Sequence, residues 1–127
     1  MKLFLVLTFA MAPLLAQSHT LSCDAPAQPG DTREIECAIP GAAQRLSFKA
    51  LFAGGHDDTS ASMTLNLDGT PLACDPGSKT KLFAEDGNVF LECRFSLDAG
   101  AAPRKLGVAL VWSHAQYTGV ELKGEDR

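Results

Sequence analysis

Residues Gly54 to Thr59 (GGHDDT) form the densest polar run in the chain. One imidazole beside two carboxylates offers nitrogen and oxygen donors to a cation, and paired carboxylates accept hydrogen bonds from a sugar or a basic partner. Gly54 and Gly55 let the backbone bend or approach a ligand closely. The run reads equally as a solvated turn whose Asp58 or Thr59 starts the next strand. Calcium takes about six to eight oxygens, more than these residues supply alone. A second group is Trp112, His114 and Gln116, which share one strand parity and are followed by Tyr117. It reads as a core tryptophan with His114 at a strand end, or as a sugar platform or part of a metal site.

Nucleophilic catalysis finds no constellation here. Ser113 and His114 are adjacent on a strand and point to opposite faces, which prevents a triad-type hydrogen bond. Gly77-Ser78-Lys79-Thr80 lacks the second glycine and the strand-to-helix setting of a phosphate loop, and reads as a Pro-Gly turn. The four cysteines, Cys23, Cys37, Cys74 and Cys93, have no C-x-x-C spacing. They read as two disulfides and not as a zinc site.

The start of the chain supplies an address. Lys2 followed by the apolar run Leu3 to Leu15 is too short to span a bilayer, which needs about 20 apolar residues, and reads as a secretory signal peptide. Residues 1–18 are assigned to it, with cleavage after Ala16 or after Ser18, and residues 19–127 to one domain. Export to the periplasm or beyond favours disulfides. Cleavage after Ser18 makes His19 the first residue, whose α-amine and imidazole together chelate copper. With His56 or His114 as a second histidine and Tyr117 as an axial neighbour, this set resembles the histidine brace of lytic polysaccharide monooxygenases and related copper-binding proteins. The resemblance implies a copper cofactor; without it no cofactor is expected.

The elements that must position these groups follow a period of two. Val89, Leu91, Cys93, Phe95 and Leu97 form one apolar parity, Leu46, Phe48, Ala50 and Phe52 another, and Ile35, Cys37 and Ile39 a third. Leu106 to Trp112 is apolar on both parities, as for a central strand covered on both sides or at an interface. Asp68-Gly69 and Asp86-Gly87 are two-residue hairpin signals. The first pairs Leu67 with Thr70 and Leu65 with Leu72. The second pairs Leu82 with Leu91 and sets Phe83 opposite Phe90 on the outer face, an aromatic pair that reads as covered by a loop or the other sheet, or else as a partner patch. Both Cys74 and Cys93 then fall on core faces and pair, leaving Cys23 with Cys37. Eight or nine short strands without a helix predict an antiparallel β-sandwich, Ig-like or jelly-roll.

The 127-residue chain carries a formal charge of −4, without the basic excess that nucleic acid or anionic lipid requires. The sequence therefore predicts an exported, non-enzymatic β-sandwich that binds another macromolecule, a protein in preference to a glycan. The surfaces expected to carry binding are Gly54–Thr59, Phe83, Phe90 and Trp112. The alternatives are a periplasmic copper protein and a carbohydrate-binding module centred on Gly54–Thr59 and Trp112.

Overall fold

The computed structural model describes residues 18–41, 44–100 and 103–126; the signal-peptide assignment lies, apart from Ser18, outside them. Among the described residues there are ten strands: β1 (Ser18–Leu21), β2 (Cys23–Asp24), β3 (Thr32–Ile39), β4 (Gln44–Gly55), β5 (Ser60–Leu67), β6 (Thr70–Pro71), β7 (Lys81–Phe83), β8 (Gly87–Leu97), β9 (Arg104–Ser113) and β10 (Gln116–Asp126). They pair antiparallel into two sheets. The first has the order β1-β10-β4-β8; the second has β2-β3-β9-β5-β6, with β7 also on β5. The all-β sandwich expected from the alternation is what the chain adopts, with ten strands in place of eight or nine.

The alternating residues meet between the sheets. Leu46, Phe48, Ala50, Phe52, Val89, Leu91, Cys93 and Phe95 are buried from one side, and Ile35, Cys37, Ile39, Met63, Leu65, Leu106, Val108 and Leu110 from the other. Burying one such aliphatic or aromatic side chain stabilises by about 1.5–3 kcal/mol. Of the two expectations for β9, cover on both sides does not hold. Its inner parity is buried, but on the outer parity Val111 is exposed, and Gly107 and Ala109 are only half-buried.

Both disulfides form as paired from the sequence, Cys23–Cys37 and Cys74–Cys93. Cys23 and Cys37 are directly opposed neighbours on β2 and β3. The chain leaves β1 of the first sheet for β2 of the second at Ser22, so this bridge fixes the crossover. Cys74 instead ties the segment after β6 to β8. That segment then shields the free edge of β8. Asp75 N donates to Arg94 O at 2.7 Å, and Lys79 and Glu92 exchange backbone bonds at 2.7 and 2.8 Å. An exposed edge would otherwise be a template for aggregation.

This edge cover explains where the Asp86-Gly87 hairpin expectation fails. β8 already has β4 on one side and residues 75–79 on the other, so β7 has no edge of β8 to join. It pairs with β5 instead, Ser60 opposite Phe83 and Ala61 opposite Leu82. The chain changes sheets between Phe83 and Gly87, with positive φ at Ala84 and Gly87. Phe83 and Phe90 therefore lie on different sheets and are not a cross-strand pair. The Asp68-Gly69 turn forms as expected, with Leu67 opposite Thr70 and Leu72 N bonded to Leu65 O at 3.0 Å.

Parity changes once in a way that matters. In β10, Tyr117 opposes Phe52, and the register then slips so that Gly119 opposes Leu51 and Val120 opposes Ala50. The extra residue is a β-bulge. Tyr117 and Val120 are an odd number of residues apart and a regular strand would set them on opposite faces. The bulge brings both inward.

Two outcomes test this scaffold. Replacing Cys74 and Cys93 together by alanine should lower unfolding stability by about 3 kcal/mol in urea denaturation, the cost expected for losing a loop closure of this size. Asp68 joins the β5–β6 turn to β9 by accepting from the Arg104 side chain and from Lys105 N. The Arg104 hydrogen bond first, and the Lys105 amide second, hold its carboxyl below the usual value of 3.8. Its stabilisation is thus present above that ordinary value and disappears as pH falls through the lowered one. Asp68→Asn should flatten the acid limb of a stability–pH profile measured by denaturant titration.

Candidate functional site

One end of the sandwich gathers most of the chemically capable residues, and a buried threonine holds it together. Thr59 is fully buried. Its hydroxyl donates to His114 O at 2.5 Å and accepts from His56 N at 2.9 Å. Its amide donates to His56 O at 3.1 Å, and its carbonyl accepts from Ala84 N at 2.8 Å. Every polar group of Thr59 is thus bonded, as a buried polar residue requires. The bonds tie the β4–β5 loop to the β9–β10 turn and to the exit from β7.

The pinned backbones bring two histidines onto one carboxylate. His56 Nδ1 lies 2.5 Å from Asp58 Oδ1, and His114 Nδ1 lies 3.4 Å from Asp58 Oδ2. Donor atoms of His56, Asp57 and Asp58 all fall within 4.8 Å of one another. His114 sits at φ 56°, a left-handed conformation uncommon outside glycine. His19 is elsewhere. It opposes Gly124 on β10, whereas the turn carrying His114 precedes Gln116, so roughly 25 Å of strand separates them at about 3.3 Å per residue. The brace set of His19 with His56 or His114 is therefore not assembled, and Tyr117 points into the sandwich.

Inside the same end, Trp112 is 7% exposed and cannot present a ring face to a ligand. It stacks on Tyr117 with ring centroids 5.3 Å apart, and Phe52 packs against both. The Arg33 guanidinium covers the stack 4.8 Å from the Tyr117 ring, a cation–π contact. Burial pushes the Tyr117 phenol above its ordinary pKa, with Arg33 opposing. This quartet closes the core where the strands run out.

Phe90 projects from the outer face of the first sheet beneath the Lys49 and Lys79 ammonium groups, 5.0 and 5.6 Å from its ring. Phe83 is the more open of the two, with 72% of its surface exposed. The register sets it in a row with Ser60 and Ser113, and the next row carries Lys81, Ser62 and Val111. Together these residues line a shallow groove of about 540 Å³. Sequence reading found Phe83 but not Ser60, Ser62, Lys81, Val111 or Ser113, because their adjacency arises only when β7 joins β5. The apolar outer parity of β9 was the one available signal.

No family model matches the chain, and no curated protein matches it. Among solved structures, it is similar to the C-terminal CBM6 of LamC, a marine laminarinase from Zobellia galactanivorans. That match has 11% identity and a TM-score of 0.39, over 84% of this chain and 90% of that one. It is also similar to a family 35 carbohydrate binding module from Clostridium thermocellum, with 12% identity and a TM-score of 0.42, over 88% of this chain and 92% of that one. Both of these structures are carbohydrate-binding modules, where the sequence reading puts a protein partner ahead of a glycan.

The Thr59 junction gives a direct prediction. Thr59→Val keeps the shape but leaves His56 N and His114 O without their hydroxyl partner, at a cost of about 1–3 kcal/mol. Equilibrium denaturation should show that loss, and hydrogen exchange should show faster opening of residues 56–59 and 113–115.

Proposed function

We propose that the protein is an exported, non-catalytic carbohydrate-binding module that takes a sugar chain on the outer face of the second sheet, around Phe83. The observation that carries this reading is the groove in which an exposed phenyl ring adjoins three serine hydroxyls and one ammonium group. A sugar ring has C–H groups on its faces and hydroxyls on its rim. It needs a flat apolar surface and partners that both donate and accept. Phe83 and Val111 supply the first. Each serine hydroxyl supplies one donor and two acceptor lone pairs, and Lys81 adds donors only.

The strip is also flat for a backbone reason. Strand side chains on one face recur every second residue, and across β5 and β9 they are small: Ser60, Ser62 and Thr64 beside Ser113, Val111 and Ala109. No bulky group there stops an extended ligand from lying along the sheet. Disulfide pairing of all four cysteines supports the exported setting.

A panel of insoluble polysaccharides, with depletion of the protein from solution as readout, tests the reading. Phe83→Ala should weaken retention by about tenfold, the size expected for losing one well-placed aromatic contact of roughly 1.4 kcal/mol. Phe90→Ala should retain wild-type binding, being on the other sheet. Failure of the wild type to bind any member, or equal retention by Phe83→Ala, overturns the proposal.

A further inference from the structure

We propose that His56, Asp57, Asp58 and His114 form a binding site for one divalent transition-metal ion of the zinc type. The inference stands apart from the carbohydrate reading and uses none of the residues of the Phe83 groove. Four donor residues, two imidazoles and two carboxylates, are the number a tetrahedral zinc ion takes, and imidazole nitrogen selects zinc, copper or nickel over calcium or magnesium.

Two donor pairs bear directly on the coordination spacing. Two ligands of one tetrahedral ion at about 2.0–2.1 Å stand roughly 3.3–3.4 Å apart. His114 Nδ1 and Asp58 Oδ2 already lie 3.4 Å apart. His56 Nδ1 and Asp58 Oδ1 are in ion-pair contact at 2.5 Å and must open by nearly 1 Å. Both side chains are more than half exposed, so rotation about their own bonds supplies that opening without disturbing the core. The donors of His56, Asp57 and Asp58 lie within 4.8 Å of one another, and His114 joins this group through its contact with Asp58.

What distinguishes this group from a chance surface cluster is its support. The ligands come from two loops far apart in sequence, and the Thr59 hydroxyl bonds the backbone of both histidines. Such a cross-link fixes the approach of the two imidazoles before an ion arrives. His114 has a left-handed backbone, and its Nδ1 lies 3.4 Å from Asp58 Oδ2. Thr59 is thus a positioning residue for the site, acting through the backbones it bonds.

Zinc titration of the exported chain by isothermal calorimetry, with cobalt absorbance as a coordination probe, provides the test. One zinc ion per chain is expected, together with the visible bands of four-coordinate cobalt. His56→Ala should weaken binding tenfold or more, and so should His114→Gly, which retains the positive φ. His19→Ala should leave affinity unchanged. Absence of zinc binding at micromolar metal overturns the site. So does wild-type affinity in either the His56 or the His114 variant, or loss of binding in His19→Ala. Both loop histidines are exposed, and circular dichroism and denaturation checks will confirm that the variants fold.

Discussion

Each sheet of this protein has one apolar face, and each face can leave water only against the other. That constraint decides which residues are available for anything else. On β3, β4, β5, β8 and β9 one parity is committed to the interior, from Ile35 and Leu46 through Met63 and Leu91 to Leu110. Function is left to the outer parities and to the loops at the strand ends. The disulfides serve the same constraint, one fixing the crossover between sheets and the other holding a segment along the edge of β8.

Closure of the end near Trp112 uses polar means where apolar ones run out. The Trp112–Tyr117 stack, Phe52 and the Arg33 guanidinium seal the core, and the bulge after Tyr117 makes its inward position compatible with Val120 and Leu122. Just outside that seal, buried Thr59 gathers three chain segments through its hydroxyl and backbone, by bonds that all lie within 3.1 Å. The histidine–carboxylate cluster sits on this junction. It is exposed to solvent yet carried on a backbone with little freedom, a combination suited to a preorganised site.

The two candidate surfaces rest on different levels of structure. The Phe83 groove is a property of strand pairing, since β7 must lie on β5 for Phe83, Ser60 and Ser113 to form one row. The histidine–carboxylate cluster is a property of loop anchoring, since His56 and His114 are separated by most of the second half of the chain. Ser113 and His114 are consecutive, so both surfaces border the same turn, yet neither borrows a residue from the other.

The sequence by itself determined the all-β class, the inward residues of β3, β4, β5 and β8, the Asp68-Gly69 turn and both disulfide pairings. Those follow from local alternation and turn chemistry, which a linear string records directly. It also marked Gly54–Thr59 and His114 as chemically capable. Tertiary structure alone decided that β7 leaves β8 for β5, because the edge of β8 is filled by residues 75–79, a long-range occupancy with no local signature. The same holds for Trp112, whose parity permitted either core or platform until Tyr117 and Arg33 covered it. His19 was likewise separated from the other histidines by the antiparallel run of β10, since distance along a sheet is set by register and not by residue type.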